Sequence, residues 1–256
     1  MLKFDSMTRV GFGIDVGGSG IKGAKVDLDT GQFIGERIKI TTPQPASPAA
    51  IAQTVARIVD QAQWDGDLGI TLPAVIKEQT ALTAANIDSS WVGVDVQKLF
   101  TDHLGKRTIS VLNDADAAGL AEVAYGDAQA RQGLSILLTF GTGIGSAILV
   151  NGTLVPNTEL GHLLIGEIEA EKLASSAVKE REDLSYTKWA KRVSKVLKEY
   201  ERLFFPSVFI VGGGISRKSE KWVPKLTNST PVIPAQLRNT AGIVGAALAV
   251  EKALKP

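Results

Sequence analysis

Residues 10–27, Val10-Gly11-Phe12-Gly13-Ile14-Asp15-Val16-Gly17-Gly18-Ser19-Gly20-Ile21-Lys22-Gly23-Ala24-Lys25-Val26-Asp27, decide the fold. The first six read as a strand that ends on a carboxylate, Asp15, and runs into a glycine turn at Gly17-Gly18. The residues after the turn separate two architectures. A dinucleotide-binding fold requires a helix after its first glycines, whereas residues 21–27 read as a second strand. Asp29-Thr30-Gly31 is the next turn, and residues 32–40 are a third strand. The chain therefore opens as a β-meander. Its first turn can present the consecutive backbone N–H groups of Gly17, Gly18 and Ser19 to a phosphate.

Beyond the meander, Ser47 is predicted to cap a helix beginning at Pro48, with Ile51, Val55, Ile58, Val59 and Ala62 on one face. Strands are predicted at 68–72 and 108–112, with a helix near Leu99 and Leu104 between them. The second half repeats the plan. A strand at 134–140 runs into Gly141-Thr142-Gly143-Ile144-Gly145, a strand at 146–150 returns, and Asn151-Gly152 is a strong hairpin turn. A helical stretch comes next, then a strand at 208–211 ending in Gly212-Gly213-Gly214, a short strand at 231–234 and a terminal helix over 240–253. Two halves that each open strand–glycine turn–strand suggest an internal duplication. The expected organisation is a small N-terminal α/β domain, residues 1–113, completed by the terminal helix within 240–256. A larger C-terminal α/β domain spans residues 114–239.

Of the 256 residues, 44% are hydrophobic, enough to bury one large core or two modest ones. The formal net charge of +1 supplies no bulk field for nucleic acid or a membrane surface, so any anion must be held by a local patch. With no cysteine, disulfides and thiolate metal sites are excluded. No apolar run reaches roughly 18–20 residues, so no bilayer-spanning helix is expected. Residues 1–9, which carry Lys3, Asp5 and Arg9, do not read as a signal peptide, and a cytoplasmic protein is expected.

Two glycine loops and a carboxylate at a third strand end suit the movement of a phosphoryl group onto a hydroxyl. The first loop is Gly17-Gly18-Ser19-Gly20. Asp15 before it is a candidate for holding Mg2+, directly or through water, and Lys22 adds positive charge. The second, around Gly141-Thr142-Gly143, repeats the chemistry and adds a hydroxyl from Thr142. Either loop alone reads equally as a plain glycine hairpin; the two together, each directly after an apolar strand, favour phosphate binding. Neither is followed by the Gly-Lys-Ser/Thr of a P-loop. Asp114 lies just past the strand at 108–112 and is the candidate base for the acceptor hydroxyl, with Asp116 on the same rim. The alternative role for Asp114 is to cap the helix over 115–125. Glu159-Leu160-Gly161-His162 sets an acid and an imidazole at the spacing to grip a vicinal diol, and a site that hydrogen-bonds each hydroxyl rejects analogues lacking one.

On a helical wheel of residues 188–204, Trp189, Val193, Val196, Leu197, Tyr200, Leu203 and Phe204 share one arc. Lys188, Lys191, Arg192, Lys195, Lys198 and Arg202 share the opposite one. The cationic face reads either as a solvated surface or as a track for a linear polyphosphate. Nucleic acid would need more positive charge overall and brings no motif here.

Three motifs carry a family resemblance that runs over nearly the whole chain. They are Gly13-Ile14-Asp15-Val16-Gly17-Gly18-Ser19-Gly20-Ile21-Lys22, Leu112-Asn113-Asp114-Ala115-Asp116-Ala117-Ala118, and the stretch from Leu137 through Gly141-Thr142-Gly143-Ile144-Gly145 to Glu159-Leu160-Gly161-His162. Together they resemble the ROK family of sugar kinases, and within it the glucokinases and glucomannokinases that use polyphosphate or ATP. The resemblance implies an actin-like ATPase/hexokinase (ribonuclease H-like) fold, two α/β domains of mixed sheet flanked by helices around a cleft. It implies transfer from inorganic polyphosphate or ATP to the 6-hydroxyl of glucose, with mannose the next acceptor to try, Mg2+ as cofactor and Asp114 as base. Asn86, Asn113, Asp114, Glu159, His162 and Glu171 would contact the sugar; Gly213 and Gly214 would border the nucleotide. A homodimer is expected. Many family members hold zinc through a largely cysteine cluster after the Glu-Leu-Gly-His motif; with no cysteine here, zinc is not expected. Nine residues before Val10 are too few for the DNA-binding domain of the family's repressors, so a regulator is not expected either. The alternatives are a hexokinase that uses ATP only, or an actin-like sugar- or nucleotide-binding protein without transfer.

Overall fold

The computed structural model describes residues 9–85 and 87–256. Its contacts divide the chain into two compact units. One holds the described residues up to Ala117 together with Gly242–Pro256, and the other is Ala118–Ala241.

The first unit begins with the meander β1 (Val10–Val16), β2 (Ile21–Asp27) and β3 (Gln32–Ile40). Helix α1 (Pro48–Gln61) is next, its N-terminus capped by Ser47, whose side chain accepts from the Ala50 N–H. Then come β4 (Leu68–Leu72), a two-stranded hairpin of β5 (Ile76–Lys77) and β6 (Thr80–Ala81), α2 (Val96–Leu104) and β7 (Ile109–Asn113). The sheet order is β3-β2-β1-β4-β7: the meander is antiparallel, and β4 and β7 add in parallel. Every residue of β4 and β7 is buried, as parallel strands covered on both faces require.

Period-2 alternation splits β1 between two layers. Phe12, Ile14 and Val16 pack with Ile51, Val55 and Ile58 of α1. The intervening face carries Gly11 and Gly13, and the helix α7 (Ala241–Glu251) lies against it. A Cβ at Gly13 would stand 1.8 Å from the Ile243 carbonyl oxygen, and one at Gly69 of β4 would stand 1.8 Å from that of Ala246. Helix α7 is apolar on all sides, and Ile243, Val244, Ala246, Ala247 and Ala249 are fully buried, the pattern of a central helix rather than an amphipathic one.

Helix α3 (Asp114–Tyr125) begins in the first unit and ends in the second. The second unit continues with β8 (Leu134–Phe140), β9 (Ile144–Val150) and β10 (Thr153–Val155). Next are the small hairpin β11 (Leu164–Ile165) and β12 (Ile168–Glu169) and the helices α4 (Ala170–Ala174), α5 (Ser176–Arg181) and α6 (Tyr186–Phe204). Strands β13 (Val208–Gly212) and β14 (Val232–Pro234) complete it. The sheet order, β10-β9-β8-β13-β14, repeats the first unit's plan of an antiparallel meander extended by two parallel strands. The Asn151-Gly152 turn takes φ of 50° and 79°, as a tight hairpin demands. Phe140, Trp189 and Trp222 meet edge-on at the core, with ring centroids 4.8–5.8 Å apart.

Two expectations are corrected. The second glycine loop is shorter than its sequence suggests. Strand β9 already starts at Ile144, and Gly145 pairs with Thr139, so the turn is 141–143, closed by the Gly141 N–H donating to the Gly143 carbonyl at 3.0 Å. Leu203, assigned to the buried arc of α6, is 43% exposed because it sits at the edge of that arc, while the next residue, Phe204, still packs against the core.

Gly69→Ala is expected to lower the unfolding free energy by roughly 1–3 kcal/mol or more, because the new methyl meets backbone that cannot move aside. Gly141→Ala, whose Cβ would have no heavy atom within 4 Å, is the control that should leave the urea midpoint unchanged.

Candidate active site

In the first unit, the site residues stand at the ends of neighbouring strands. Asp15 is opposite Lys22 of β2 and beside Thr71 of β4. That register puts the three on one face, within contact of one another. Lys22 Nζ lies 3.1 Å from Asp15 Oδ2, and Thr71 Oγ1 donates to Asp15 Oδ1 at 3.2 Å. With both oxygens engaged, a cation bound directly would compete with the ammonium, so this geometry suits a hydrated Mg2+ held through water. The turn beyond is fixed by the Gly17 N–H donating to the Gly20 carbonyl at 3.2 Å and by Thr42 Oγ1 donating to the Gly17 carbonyl at 2.5 Å. Gly18 and Ser19 are exposed at its tip.

Asn113 closes β7, and its carboxamide is used at both ends. Oδ1 accepts from the Ala115 N–H at 2.8 Å and the Asp116 N–H at 3.4 Å, while Nδ2 donates to the Ala74 carbonyl at 3.2 Å. Asn113 therefore takes the capping place that the sequence offered to Asp114. Asp114 is the first helical residue; its Oδ1 accepts from the Ala115 N–H at 2.9 Å. A carboxylate there is favoured by the positive end of the helix.

In the second unit, Glu159, His162 and Glu171 gather beside the 141–143 turn. Leu160–His162 is a single 3-10 turn. Three contacts hold it: the Leu160 N–H donates to Ser146 Oγ at 2.9 Å, Ser146 Oγ donates to the Thr158 carbonyl at 2.5 Å, and the Tyr200 hydroxyl donates to the Leu160 carbonyl at 2.6 Å. The core helix α6 thus anchors the motif, and burial pushes the Tyr200 phenol well up, keeping it a donor. Gly161 is required by close approach, since a Cβ there would stand 2.2 Å from the Ile144 carbonyl oxygen. Glu171, from α4, lies against the turn. Its Oε2 accepts from the Ile144 N–H at 3.3 Å and would be 2.2 Å from a Cβ on Gly143.

Partial enclosure raises the Glu159 carboxyl above its ordinary value, although some of its surface stays open to solvent; His162 opposes the rise and Glu171 adds to it. His162 Nδ1 lies 3.7 Å from Glu169 and 4.0 Å from Glu171. The Lys172 ammonium, 2.9 Å from Glu169, holds that carboxyl below its usual range.

A separate cavity in the second unit is floored by Gly212, Gly213 and Gly214 at the end of β13. Gly213 must be glycine, with φ of 83° and a Cβ position 2.2 Å from the Phe140 carbonyl oxygen. At Gly214 no heavy atom lies within 4 Å of the Cβ position, so bare backbone is presented to whatever enters. Glu122, Arg217, Arg238 and Asn239 also line this cavity, and sequence reading singled out none of them. The available signal was Glu122, one acid inside an otherwise small and apolar helical run.

Of the predicted residues, the structure brings Asp15 with Lys22, and Glu159, His162 and Glu171 with Gly141, Thr142 and Gly143. Asn86 lies outside the described residues. Lys191, Lys195, Lys198 and Arg202 all stand on the exposed face of α6. Arg202 is already paired with Glu199 and Arg192 with Glu182, which leaves the lysines as the unpaired part of the stripe among the described residues.

The ROK family matches residues 11–177. A polyphosphate glucokinase of Mycobacterium tuberculosis is 59% identical over 241 residues, 94% of this chain and 91% of that protein. The polyphosphate glucokinase of Mycobacterium leprae is 54% identical over 239 residues, 93% of this chain and 74% of that one. Among solved structures, the inorganic polyphosphate/ATP-glucomannokinase of Arthrobacter sp. strain KM superposes with a TM-score of 0.88 at 44% identity, covering 96% of this chain and 99% of that chain. A ROK glucokinase of Streptomyces griseus, solved with glucose and AMPPNP, has a TM-score of 0.77 at 25% identity, covering 95% of this chain and all of its own. The twice-repeated mixed sheet is that of the actin-like ATPase fold, and with its first glycine turn, the Glu159–His162 turn and a family match across both, the chain belongs to the ROK family.

Proposed function

We propose that this protein transfers a phosphoryl group from inorganic polyphosphate or ATP to the 6-hydroxyl of glucose. One geometric observation carries the reading: the Glu171 carboxylate is seated against Gly143, which ties the Glu159–His162 cluster directly to a phosphate-type glycine turn. The 59% identity to a polyphosphate glucokinase supplies the substrates.

In this reading Asp114 accepts the proton of the glucose 6-hydroxyl. The oxygen attacks the terminal phosphorus of the donor, and a shortened polyphosphate or ADP departs. Because the transition state is loose, Asp114 chiefly orients the hydroxyl, and its proton moves late. Glu159, His162 and Glu171 bind sugar hydroxyls, as do Asn113 and Asn86. The Asn113 side chain, spent on α3 and Ala74, contributes through the proton it has left on Nδ2 and by fixing its neighbour Asp114. Gly17, Gly18, Ser19 and Gly20 with Gly141, Thr142 and Gly143 receive donor phosphates, while Gly213 and Gly214 border the nucleoside of ATP. Asp15 would hold Mg2+, directly or through water, and the ion would supply positive charge to the donor phosphates. Mannose, a homodimer and a cytoplasmic location complete the proposal.

The lysines of α6 form the proposed polyphosphate track. ATP ends after three phosphates and needs no such surface, whereas a long chain gains charge contacts along it. Those exposed contacts are screened by salt.

Asp114→Asn is expected to lower kcat by about 10²–10⁴-fold with little change in thermal midpoint, read by glucose 6-phosphate formation and calorimetry. Near-normal turnover would remove Asp114 from the mechanism. Lys191→Ala, Lys195→Ala and Lys198→Ala together should raise KM for long polyphosphate and leave KM for ATP unchanged; equal effects on both donors would return the stripe to a solvated face. The raised Glu159 carboxyl sets a pH dependence. Above its raised pKa it is the ionised, stronger acceptor, so KM for glucose should rise as pH falls through that value, and Glu159→Gln should flatten the acid limb.

A further inference from the structure

Helix α3 carries one buried acid in its second-unit portion, and the phosphoryl-transfer mechanism does not use it. Glu122 is 2% exposed. Its Oε2 accepts from the Gln236 N–H and its Oε1 from the Leu237 N–H, each at 2.8 Å. These are consecutive backbone donors of the segment just after β14. Beyond Leu237, Arg238 adopts a positive φ of 54°, an uncommon conformation for a non-glycine residue, and Asn239 Oδ1 accepts from Arg217 Nη2 at 2.8 Å. Ala235, Arg238 and Asn239 form one wall of the cavity floored by Gly212–Gly214. One carboxylate therefore sets the path of the wall, and the wall is pinned at its far end to Arg217, in the helical turns just past the floor.

We propose that Glu122 is a positioning residue for the nucleoside end of the donor, so that it governs the use of ATP and leaves the use of polyphosphate untouched. This rests on the function proposed above. The chemistry of the cavity supports the division. Ala118, Leu137 and Ala235 give it apolar sides, the glycines give it a flat, bare floor, and the arginines stand among its polar residues. A flat, weakly charged base with its ribose gains from such a surface. A chain charged at every phosphorus gains nothing from apolar walls. The nucleoside is also the only part of ATP that polyphosphate lacks.

A carboxyl group has an oxygen for each of the two N–H groups. In Glu122→Gln, one of the two would face an amide N–H, and a buried donor without an acceptor is costly enough to move the wall. In wild type and Glu122→Gln, KM and kcat are measured for ATP and for long-chain polyphosphate at saturating glucose. ADP binding is measured by calorimetry in parallel. The expected result is that KM for ATP and Kd for ADP rise about tenfold, with KM and kcat for polyphosphate within about twofold of wild type. Retained polyphosphate turnover then shows that the fold is intact. Equal rises for both donors, no change in either, or an unchanged Kd for ADP overturns the assignment. Should Glu122→Gln prove insoluble, Glu122→Asp, which keeps the charge but withdraws it by one methylene, is read by the same criteria. A wild-type protein that binds ADP but forms no product with either donor would refute the proposed reaction, while the calorimetric comparison would still decide the role of Glu122.

Discussion

Helix α7 rests on bare backbone. Side chains on that face of β1 and β4 would hold the helix at an ordinary helix–sheet distance; Gly13 and Gly69 remove them, and the Ile243 and Ala246 carbonyls come down onto the strands. The same contact reaches the chemistry. Asp15 is the next residue after Gly13 on this face of β1, and Gly242, in the first turn of α7, places its Cβ position 3.2 Å from Asp15 Oδ1. A change that lifts the helix thus disturbs the surroundings of the acid that precedes the first phosphate turn. Stability and site geometry depend on one close approach.

The second unit solves its own positioning problem with hydrogen bonds instead of bare backbone. The Glu-Leu-Gly-His turn is too short to hold its shape alone. It borrows rigidity from Ser146 on β9 and from Tyr200 on the core helix α6. Glu171 is seated by a different element, α4, against the 141–143 turn. Three separate elements therefore hold the acid, the imidazole and the glycine turn together, and displacing any one changes the enclosure that raises Glu159 and the His162 and Glu171 charges that modulate it.

Much of this was legible in the sequence because the signals are local. The bounds of β2 and of α1 come from alternation, a glycine turn and a capping serine with its proline, and the internal duplication appears as two mixed sheets of the same order. The features that escaped depend on neighbours distant in sequence. Gly11 and Gly13 read only as members of the first strand, yet they make room for a helix more than two hundred residues further along. Glu122 gave no periodic signal, because its meaning lies in two N–H groups more than a hundred positions away. Thr71 completes the Asp15 contacts only once β4 is known to pair with β1. The 141–143 turn was overestimated because Gly145 looks like loop by composition, although its backbone is strand.

The placement of α7 also bears on how the chain is made. Strand β1 emerges from the ribosome more than two hundred residues ahead of the helix that covers it. The second unit is one continuous stretch, Ala118–Ala241, and is complete before α7 exists. The first unit must wait, its glycine-lined face uncovered and its parallel strands open on one side. Assembly therefore runs against the usual N-to-C order, with the later unit able to close ahead of the earlier one. A nascent chain interrupted before α7 would carry a finished second unit beside an unshielded sheet, the kind of surface that chaperones bind and proteases clear.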